Sequence, residues 1–311
     1  MSEPVTRTEA ENELRRGLLF GLAAYGMWGF FPAYYKLTDT VSADLVVAHR
    51  IAWSVLFVGG FLYLRGRWQE VLDVFADPAV LKRLAMSASF ISVNWLVFVW
   101  AIANEQVLDV SLGYFINPLV SILVGLIVLR ERMSKWQYIA VAMAGFAVVL
   151  QAVLAGGLPW VSLVLAFSFA GYGYVRKVTP VKATPGLFVE TVLLFPIAMG
   201  YLLLSLSWGV DALILDDIPV LMALAGTGIV TALPLICFSS AARRLPLFML
   251  GLMQYIAPSI HFLMAVYVWG EPLDQAKLLG FVMIWIALVV FTFDSWRNAR
   301  NARKAQQQAT V

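Results

Sequence analysis

The residues best suited to chemistry in this chain are a few charged and imidazole side chains inside long apolar stretches. His49 and Arg50 fall near the start of the stretch 45–64, and Glu190 falls near the start of 186–206. A charge inside a bilayer costs roughly 2.5–3.5 kcal/mol on insertion scales, so such residues commonly have a function. Two interpretations stay open: ion pairs that fix helix ends, or parts of outer and inner gates of a solute pathway.

The elements that position these residues are predicted to be membrane-spanning helices. Hydrophobic residues make up 61% of the 311 positions and charged residues 13%, about half the charged share of a soluble domain. A spanning helix needs about 20 mostly apolar residues. Ten stretches meet this requirement: 17–36, 45–64, 84–104, 109–129, 136–154, 158–176, 186–206, 219–240, 246–269 and 277–296. The sequence therefore predicts an all-α membrane protein with ten transmembrane helices.

The positive charges predict how these helices are oriented. All but three of the 22 Lys and Arg residues lie at the termini or in every second connection, the exceptions being Lys36, Arg50 and Lys277. Basic connections stay in the cytoplasm, so both termini are predicted to be cytoplasmic. The basic tail from Arg297 to Lys304 is then a topological anchor. A nucleic-acid patch is the disfavoured alternative, and no nucleic-acid partner is expected.

The chain resembles itself at an offset of 140 residues. Lys36 aligns with Arg176, Ile116 with Ile256, Pro118 with Pro258, and Glu131 with Glu271. Each copy holds five predicted helices, an odd number, so the second copy enters the bilayer in the opposite orientation. Inverted repeats of this kind place a binding site at mid-membrane, where the copies meet. The predicted divisions are a loosely ordered cytoplasmic segment 1–16, a first repeat 17–155, a second repeat 157–296 after the turn 155–157, and a cytoplasmic tail 297–311.

This arrangement predicts separate partners for the two buried charges. Arg50 and Glu190 are related by the same offset, which puts Arg50 toward the outer face and Glu190 toward the inner face. Their depths then differ by roughly 10–15 Å at a rise of 1.5 Å per residue. The acidic candidates for Arg50 are Asp109 and Asp39. The basic candidates for Glu190 are Arg176, Lys177 and Lys182.

Two prolines mark the place where the repeats would meet. Pro118 and Pro258 lie near the middle of the fourth and ninth predicted helices, and each frees a carbonyl one turn earlier because proline has no N–H. In a bilayer, freed backbone groups face protein or a wet cavity. A cavity lined by these prolines with Tyr114, Asn117 and Gln254 is the favoured interpretation, and a packing kink is the alternative.

Further lining candidates are aromatic and polar residues inside the spans. Tyr25, Trp28 and Trp95 could offer flat surfaces to a ring-bearing solute, with ordinary helix packing as the alternative. The Asn94 amide needs a hydrogen-bond partner, which a solute could supply. His261 could titrate, bind a solute or bond to a neighbouring group, and the last is favoured.

Motifs for enzymatic chemistry are absent from the sequence. It contains no phosphate-binding Gly-x-x-x-x-Gly-Lys-Ser/Thr string, and no His-Glu-x-x-His, Gly-x-Ser-x-Gly or Cys-x-x-Cys. Its two histidines have no metal-ligand spacing. We therefore expect a protein that is not an enzyme, that hydrolyses no ATP and that holds neither a cofactor nor a metal ion.

Several longer strings carry a family resemblance. They are Ala24-Tyr25 with Trp28-Gly29 and Pro32, His49-Arg50 with Trp53-Ser54, Asn94-Trp95, residues 111–119 followed by Arg130-Glu131-Arg132, residues 254–258, and Gly270-Glu271-Pro272. Together they resemble the EamA branch of the drug/metabolite transporter superfamily, and its RarD-like members in particular. The resemblance implies two inverted five-helix repeats around a central cavity, in the bacterial inner membrane. Where the family commonly has Gly-Glu, Arg130 replaces the glycine, which predicts a less tight turn in the first repeat.

These observations predict a secondary transporter, most simply an exporter, that works by alternating access. The expected cargo is small amphipathic or aromatic metabolites, and the resemblance adds drugs such as chloramphenicol. Proton coupling through Glu190, His49 or His261 stays open, as does the choice between monomer and homodimer. The alternatives are a non-transporting sensor or assembly subunit and, less favoured, a membrane-embedded enzyme.

Overall fold

The computed structural model describes residues 7–104, 106–154, 160–209, 217–270 and 275–309 as helices joined by short connections, with no β-strand among them. The helices are α1 Arg7–Gly29, α2 Phe31–Tyr35, α3 Ala43–Leu64, α4 Gln69–Ala76, α5 Pro78–Ala103, α6 Val107–Ile127, α7 Lys135–Leu154, α8 Trp160–Val178, α9 Ala183–Ser207, α10 Ile218–Ala242, α11 Leu247–Met253, α12 Ile256–Tyr267 and α13 Gln275–Ala309. A 3-10 turn, Lys36–Thr38, follows α2.

Six of these elements are long and apolar enough to cross a membrane, within the part of the chain that the structure describes. They are α3, α5, α7, α9, α10 and the α11–α12 pair. The other four predicted spans fall on α1 with α2, α6, α8 and α13. The all-helical, multi-span fold is thus confirmed, whereas ten spans in two inverted repeats stay a prediction.

The terminal helices are longer than predicted. Helix α1 begins at Arg7, so residues 7–16 are helical where loose order was predicted, and α13 continues to Ala309 in the tail. The first predicted span is divided at Phe30, because Pro32 has no N–H for the carbonyl of Trp28. Residues 1–6, the predicted turn 155–157 and Glu271 lie outside the described residues.

The two prolines related by the offset have different effects. Helix α6 continues through Pro118, whereas the ninth span is interrupted at Gln254 and Tyr255, between α11 and α12. There the N–H of Ala257 meets the Gln254 carbonyl at 3.3 Å, in place of the donor that Pro258 lacks. The break predicted in both repeats is therefore present in the second only.

Side-chain caps explain where two spans begin. The Asp77 carboxylate accepts from the N–H groups of Ala79 at 2.9 Å and Val80 at 3.1 Å, just before α5. The Asp217 carboxylate accepts from the Val220 N–H at 3.2 Å at the start of α10. Each satisfies donors that have no acceptor within the first turn of a helix.

Close helix crossings bring the charged residues together. Helix α3 packs on α9 and α10, α6 packs on α8 and α11, and α7 packs on α13. Helix α1 packs on α10, and α8 packs on α5. A Cβ atom at Gly228 would stand 2.6 Å from the Trp53 backbone, and one at Gly251 would stand 2.8 Å from the Pro118 carbonyl oxygen. Only glycine allows these two approaches.

Candidate functional site

Ion pairs gather at one end of the bundle, which we call the basic end. It comprises residues 65–68, 128–134, 179–182 and 243–246. Three pairs join segments that are distant in the chain: Glu13 with Arg244 at 2.8 Å, Glu70 with Lys182 at 2.9 Å, and Glu131 with Lys177 at 3.6 Å. These three pairs, together with Glu13–Arg16, Arg67–Glu70 and Arg176–Glu190, lie at this end or about two turns inside it.

The Glu70 carboxylate joins the two halves of the chain at the basic end. Arg67 donates to it at 2.8 Å and 3.1 Å, and Lys182 donates at 2.9 Å. These contacts, that of Arg67 above all, lower the pKa of Glu70 from its ordinary value of 4.5 to about 2. Glu70 is therefore ionised, and its ion pairs are intact, throughout the physiological pH range.

Glu131 caps a helix that belongs to the other half of the chain. Its two carboxylate oxygens accept from the N–H groups of Leu247 at 2.7 Å and Phe248 at 3.0 Å, at the start of α11. Lys177 beside it donates to the carbonyl of Leu245 at 2.5 Å. Because a helix start leaves N–H groups unpaired, this carboxylate both caps α11 and ties it to the end of α6.

The turn that carries Glu131 has left-handed backbone. Arg130 has φ of 55°, and Gly270, which aligns with it at the offset of 140, has φ of 67°. The expectation of a less tight turn at Arg130 is therefore wrong. Arginine adopts the conformation that glycine adopts more easily, at a cost of roughly 1–2 kcal/mol.

A buried ion pair lies about two turns inside the basic end. An Nη of Arg176 on α8 stands 3.5 Å from a carboxylate oxygen of Glu190 on α9, and the two side chains are 1% and 2% exposed. Of the three predicted partners for Glu190, Arg176 is the one that the structure supplies. Because both side chains are almost completely buried, neither charge is hydrated by water. Each charge is therefore stabilised mainly by the other.

The surroundings of this pair hold it together only in part. Arg176 donates to the Ser239 hydroxyl on α10 and to the Ala183 carbonyl, each at 3.1 Å. The hydroxyls of Ser87 and Tyr172 lie close enough to the Glu190 carboxylate to interact with it, although neither reaches good hydrogen-bond geometry. A Cβ atom at Gly186 would overlap the guanidinium, so that glycine leaves the space that Arg176 occupies. The pair therefore joins α8 to α9 inside the bundle, and its carboxylate has only weak contacts besides Arg176.

The other cation of interest, Arg50, is half-buried and lies toward the opposite end of the bundle, formed by residues 36–42, 208–209 and 268–270. Its Nε donates to the Thr231 hydroxyl on α10 at 2.9 Å. Its guanidinium carbon stands 4.9 Å from the centre of the Trp95 ring and 5.7 Å from that of Tyr35. No described carboxylate lies within 4 Å, so the prediction that Asp109 or Asp39 pairs with Arg50 is wrong.

Tyr114 on α6 is a partly exposed neighbour of Arg50. It lies close enough to Arg50 and Tyr35 to interact electrostatically with both, and 43% of its surface is exposed. Trp95 is 9% exposed and forms a wall of the same region.

Two more predicted lining residues form an aromatic cluster between α1 and α10. Tyr25 is buried, and its ring centre lies 5.5 Å from that of Trp28. Trp28 is half-buried and also contacts Phe238 at 5.7 Å. His261 on α12 donates through Nε2 to the Trp28 carbonyl at 3.0 Å, the carbonyl that Pro32 leaves free. His261 thus bonds to a neighbouring backbone group, as favoured from the sequence.

The polar candidates are held mainly by protein contacts. The Asn94 amide donates to the Leu165 carbonyl at 2.9 Å and to the Ser168 hydroxyl at 3.0 Å, so it joins α5 to α8 without a solute. Gln254 is buried and accepts from the Ser121 hydroxyl at 3.4 Å. Asn117 is buried beside Pro118, and its carbonyl oxygen has no partner among the described residues.

The two remaining candidates are His49, which is next to Arg50 in the chain, and Asp109, which lies toward the same end of the bundle. His49 is half-buried next to it on α3. Asp109 lies in the first turn of α6, where its backbone carbonyl accepts from the Ser162 hydroxyl. The structure thus places His49 and Arg50 on one helix and Glu190 in a separate cluster near the basic end.

Sequence reasoning missed the residues that contact Arg50 from other helices. Thr231 lies 181 positions away, and no local motif connects the two residues. It also missed Glu131 as a cap, although the alignment of Glu131 with Glu271 at the offset of 140 was a usable signal.

Comparisons with known proteins identify the family of this chain. The model of the EamA-like transporter family matches residues 15–153. An uncharacterized transporter of Pseudomonas aeruginosa is 43% identical over 295 residues, covering 94% of this chain and 98% of the relative. The protein RarD of Streptomyces exfoliatus is 42% identical over 301 residues, covering 97% and 96%. This chain belongs to the EamA-like transporter family.

The fold is also similar to that of a solved protein structure. The similarity covers 90% of this chain and 98% of the chain of the solved structure, with a TM-score of 0.66 at 17% identity. The relatives are named as transporters or as RarD, and the sequence-based assignment to RarD-like EamA proteins is confirmed. The protein is a multi-pass bacterial membrane protein of a transporter family.

Proposed function

We propose that this EamA-like protein is a secondary transporter of small amphipathic or aromatic solutes, most simply an exporter in the bacterial inner membrane with both termini in the cytoplasm. The contrast between its two ends carries the proposal. Ion pairs close the basic end, whereas the opposite end has an accessible, aromatic-lined Arg50 without a described acidic partner. A bundle closed on one side and open on the other is what alternating access requires.

Helix packing supports the inverted repeat on which alternating access depends. Under the offset of 140 residues, α1 corresponds to α8 and α5 to α10, and these helices form the matching pairs α1 with α10 and α8 with α5. The Tyr255 hydroxyl donates to the carbonyl of Phe115 at 3.1 Å, and these residues are also 140 apart. Contact between equivalent residues is expected where a two-fold axis passes.

In this proposal the Arg176–Glu190 pair is the inner gate, and the region of Arg50 is the outer half of the pathway. The pair is long at 3.5 Å and the carboxylate has only weak contacts besides Arg176, so the pair can separate when α8 and α9 move apart. Protonation of Glu190 would remove the attraction, which makes it the best candidate for coupling to protons. The basic end faces the cytoplasm by the positive-inside rule.

Solute exchange in proteoliposomes tests the function. The purified protein should exchange radiolabelled chloramphenicol, phenylalanine or phenylacetate in counterflow, with and without a pH gradient, and liposomes without protein should not. A pH gradient should drive accumulation of a transported solute if Glu190 couples protons, and Glu190→Gln should abolish that drive while leaving exchange measurable.

A non-transporting sensor or assembly subunit predicts a different result. No solute would exchange in counterflow, and addition of solutes would leave the accessibility of both ends to thiol reagents unchanged. Both observations together would overturn the proposed function.

A further inference from the structure

The guanidinium of Arg50 is arranged to receive a ligand. Its Nε bonds to Thr231, and the Trp95 and Tyr35 rings lie near the guanidinium. Its terminal N–H groups have no acceptor among the described residues, and they are not among the buried polar atoms that lack a partner. They therefore face accessible space, next to the exposed surface of Tyr114.

An unpaired guanidinium in this position favours an anion. Arginine stays protonated and carries several N–H donors in a planar fork, which matches the two oxygens of a carboxylate. The surrounding aromatic rings reduce the access of water, which strengthens such a pair. Because a single cation is presented, a monoanion balances the charge of the site.

The second repeat supports this reading. At the position equivalent to Arg50 it has Glu190, and at the position equivalent to Lys36 it has Arg176, so this repeat supplies both members of a buried ion pair. The first repeat has cations at both positions, and Lys36 instead stands 4.2 Å over the Trp269 ring. The carboxylate that the second repeat contains is missing from the first.

We propose that Arg50 binds the carboxylate of a small aromatic or apolar organic acid, with Trp95, Tyr35 and Tyr114 around its apolar part. This inference rests on the proposed transport function and names the substrate class of the same pathway. Neutral aromatic compounds of the same shape bind more weakly, because they leave the guanidinium unpaired. The site discriminates by charge first and by ring contact second.

Matched ligands and matched variants test the inference. Isothermal titration calorimetry on the purified full chain compares phenylacetate with phenylacetamide, which has the same ring and no charge. Arg50→Gln should weaken phenylacetate binding by about tenfold or more, the loss expected for a charge-assisted hydrogen bond, and should leave phenylacetamide unchanged. Arg50→Lys should give an intermediate loss, because lysine keeps the charge but not the fork.

Arg65→Gln is the control for net charge. Arg65 is exposed at the basic end, and its replacement removes one positive charge far from the site. Phenylacetate binding should be the same in this variant as in the parent protein. Equal binding of phenylacetate and phenylacetamide, or equal losses in Arg50→Gln and Arg65→Gln, would overturn the carboxylate site.

The two proposals fail separately. Counterflow of chloramphenicol, which carries no carboxylate, without any dependence of phenylacetate binding on Arg50 would leave transport standing and overturn the carboxylate site. Binding of phenylacetate that depends on Arg50, without exchange of any solute, would keep the site and overturn transport.

Discussion

Two pairs of charged residues occupy equivalent positions in the two halves of the sequence, but only one pair contains an acid. Arg176 and Glu190 form a fully buried ion pair at 3.5 Å in the second half. Their equivalents 140 residues earlier, Lys36 and Arg50, are both cations and lie against Trp269 and Trp95 instead. Arg176 and Glu190 thus neutralise each other in a buried position, whereas Lys36 and Arg50 are cationic and accessible.

The charge of the side chain at one position, Glu190 or Arg50, therefore determines whether each pair of charged residues is neutralised within the protein. Glu190 lets the protein neutralise Arg176 with its own chain, which holds α8 and α9 together. Arg50 at the equivalent position has no ion-pair partner among the described residues, so its neutralisation depends on another molecule. Stability should therefore depend strongly on the Arg176–Glu190 pair and weakly on Arg50, whereas solute binding should show the reverse.

The largest expected effect comes from breaking the sealed pair. Arg176→Leu leaves the Glu190 carboxylate buried without a counter-charge and should lower the free energy of unfolding by about 3–5 kcal/mol. Denaturant titration of the purified protein, followed by circular dichroism, measures the loss. The double variant Arg176→Leu with Glu190→Leu should recover most of it, and equal losses in the single and double variants would show that the pair is not coupled.

A smaller effect is expected from moving Arg176 without removing its charge. Gly186→Ala places a Cβ atom where the guanidinium lies, and this overpacking should cost about 1–3 kcal/mol. Gly200→Ala on the same helix is the matched control, because no atom outside the local helix lies within 4 Å of a Cβ there. The control should be neutral or slightly stabilising. Equal melting temperatures for the two variants would contradict the packing around Arg176.

Removal of the unpaired cation should affect function more than stability. Arg50→Leu breaks one described hydrogen bond and removes a charge that has no described counter-charge, so the free energy of unfolding should change by about 1 kcal/mol or less. Expression and membrane insertion should be normal, and counterflow should be lost. Normal transport by Arg50→Leu would show that the residue only fixes a helix end.

The smallest expected effect is the pH dependence of the surface ion pairs at the basic end. The pKa of Glu70 is lowered to about 2 in the folded protein from 4.5, so its contribution to stability is complete above pH 4.5 and is lost as the pH falls toward 2. Glu70→Gln should therefore melt at a lower temperature than the parent at pH 7, by a small margin because the pair is partly solvated. Melting curves of the variant and the parent at pH 7 and near pH 2 measure the difference in melting temperature. A difference that grows on acidification would contradict the prediction.

The sequence was sufficient for features that depend on local composition. Six of the ten apolar runs fall on described helices that are long and apolar enough to span a membrane. Arg176 was identified as a candidate partner because only 14 positions and one short connection separate it from Glu190.

Features that depend on contacts between distant helices escaped prediction. Thr231 and Tyr35 reach Arg50 from two other helices, and nothing in their local sequences distinguishes them from packing residues. Trp95 was a predicted lining residue, but its contact with Arg50 was not predicted. The left-handed backbone at Arg130 was also missed, because arginine at such a position is strained and the Glu131 cap on α11 outweighs local preference.

Sidedness of the two ends is the most direct test of the inverted arrangement. In a Cys237→Ser background, single cysteines replace the exposed Arg132 at the basic end and Val268, 67% exposed, at the opposite end. A membrane-impermeant maleimide should label Val268→Cys in spheroplasts and Arg132→Cys only in inside-out vesicles. Labelling of both cysteines from the same side of the membrane would contradict the two oppositely oriented repeats and the pathway between them.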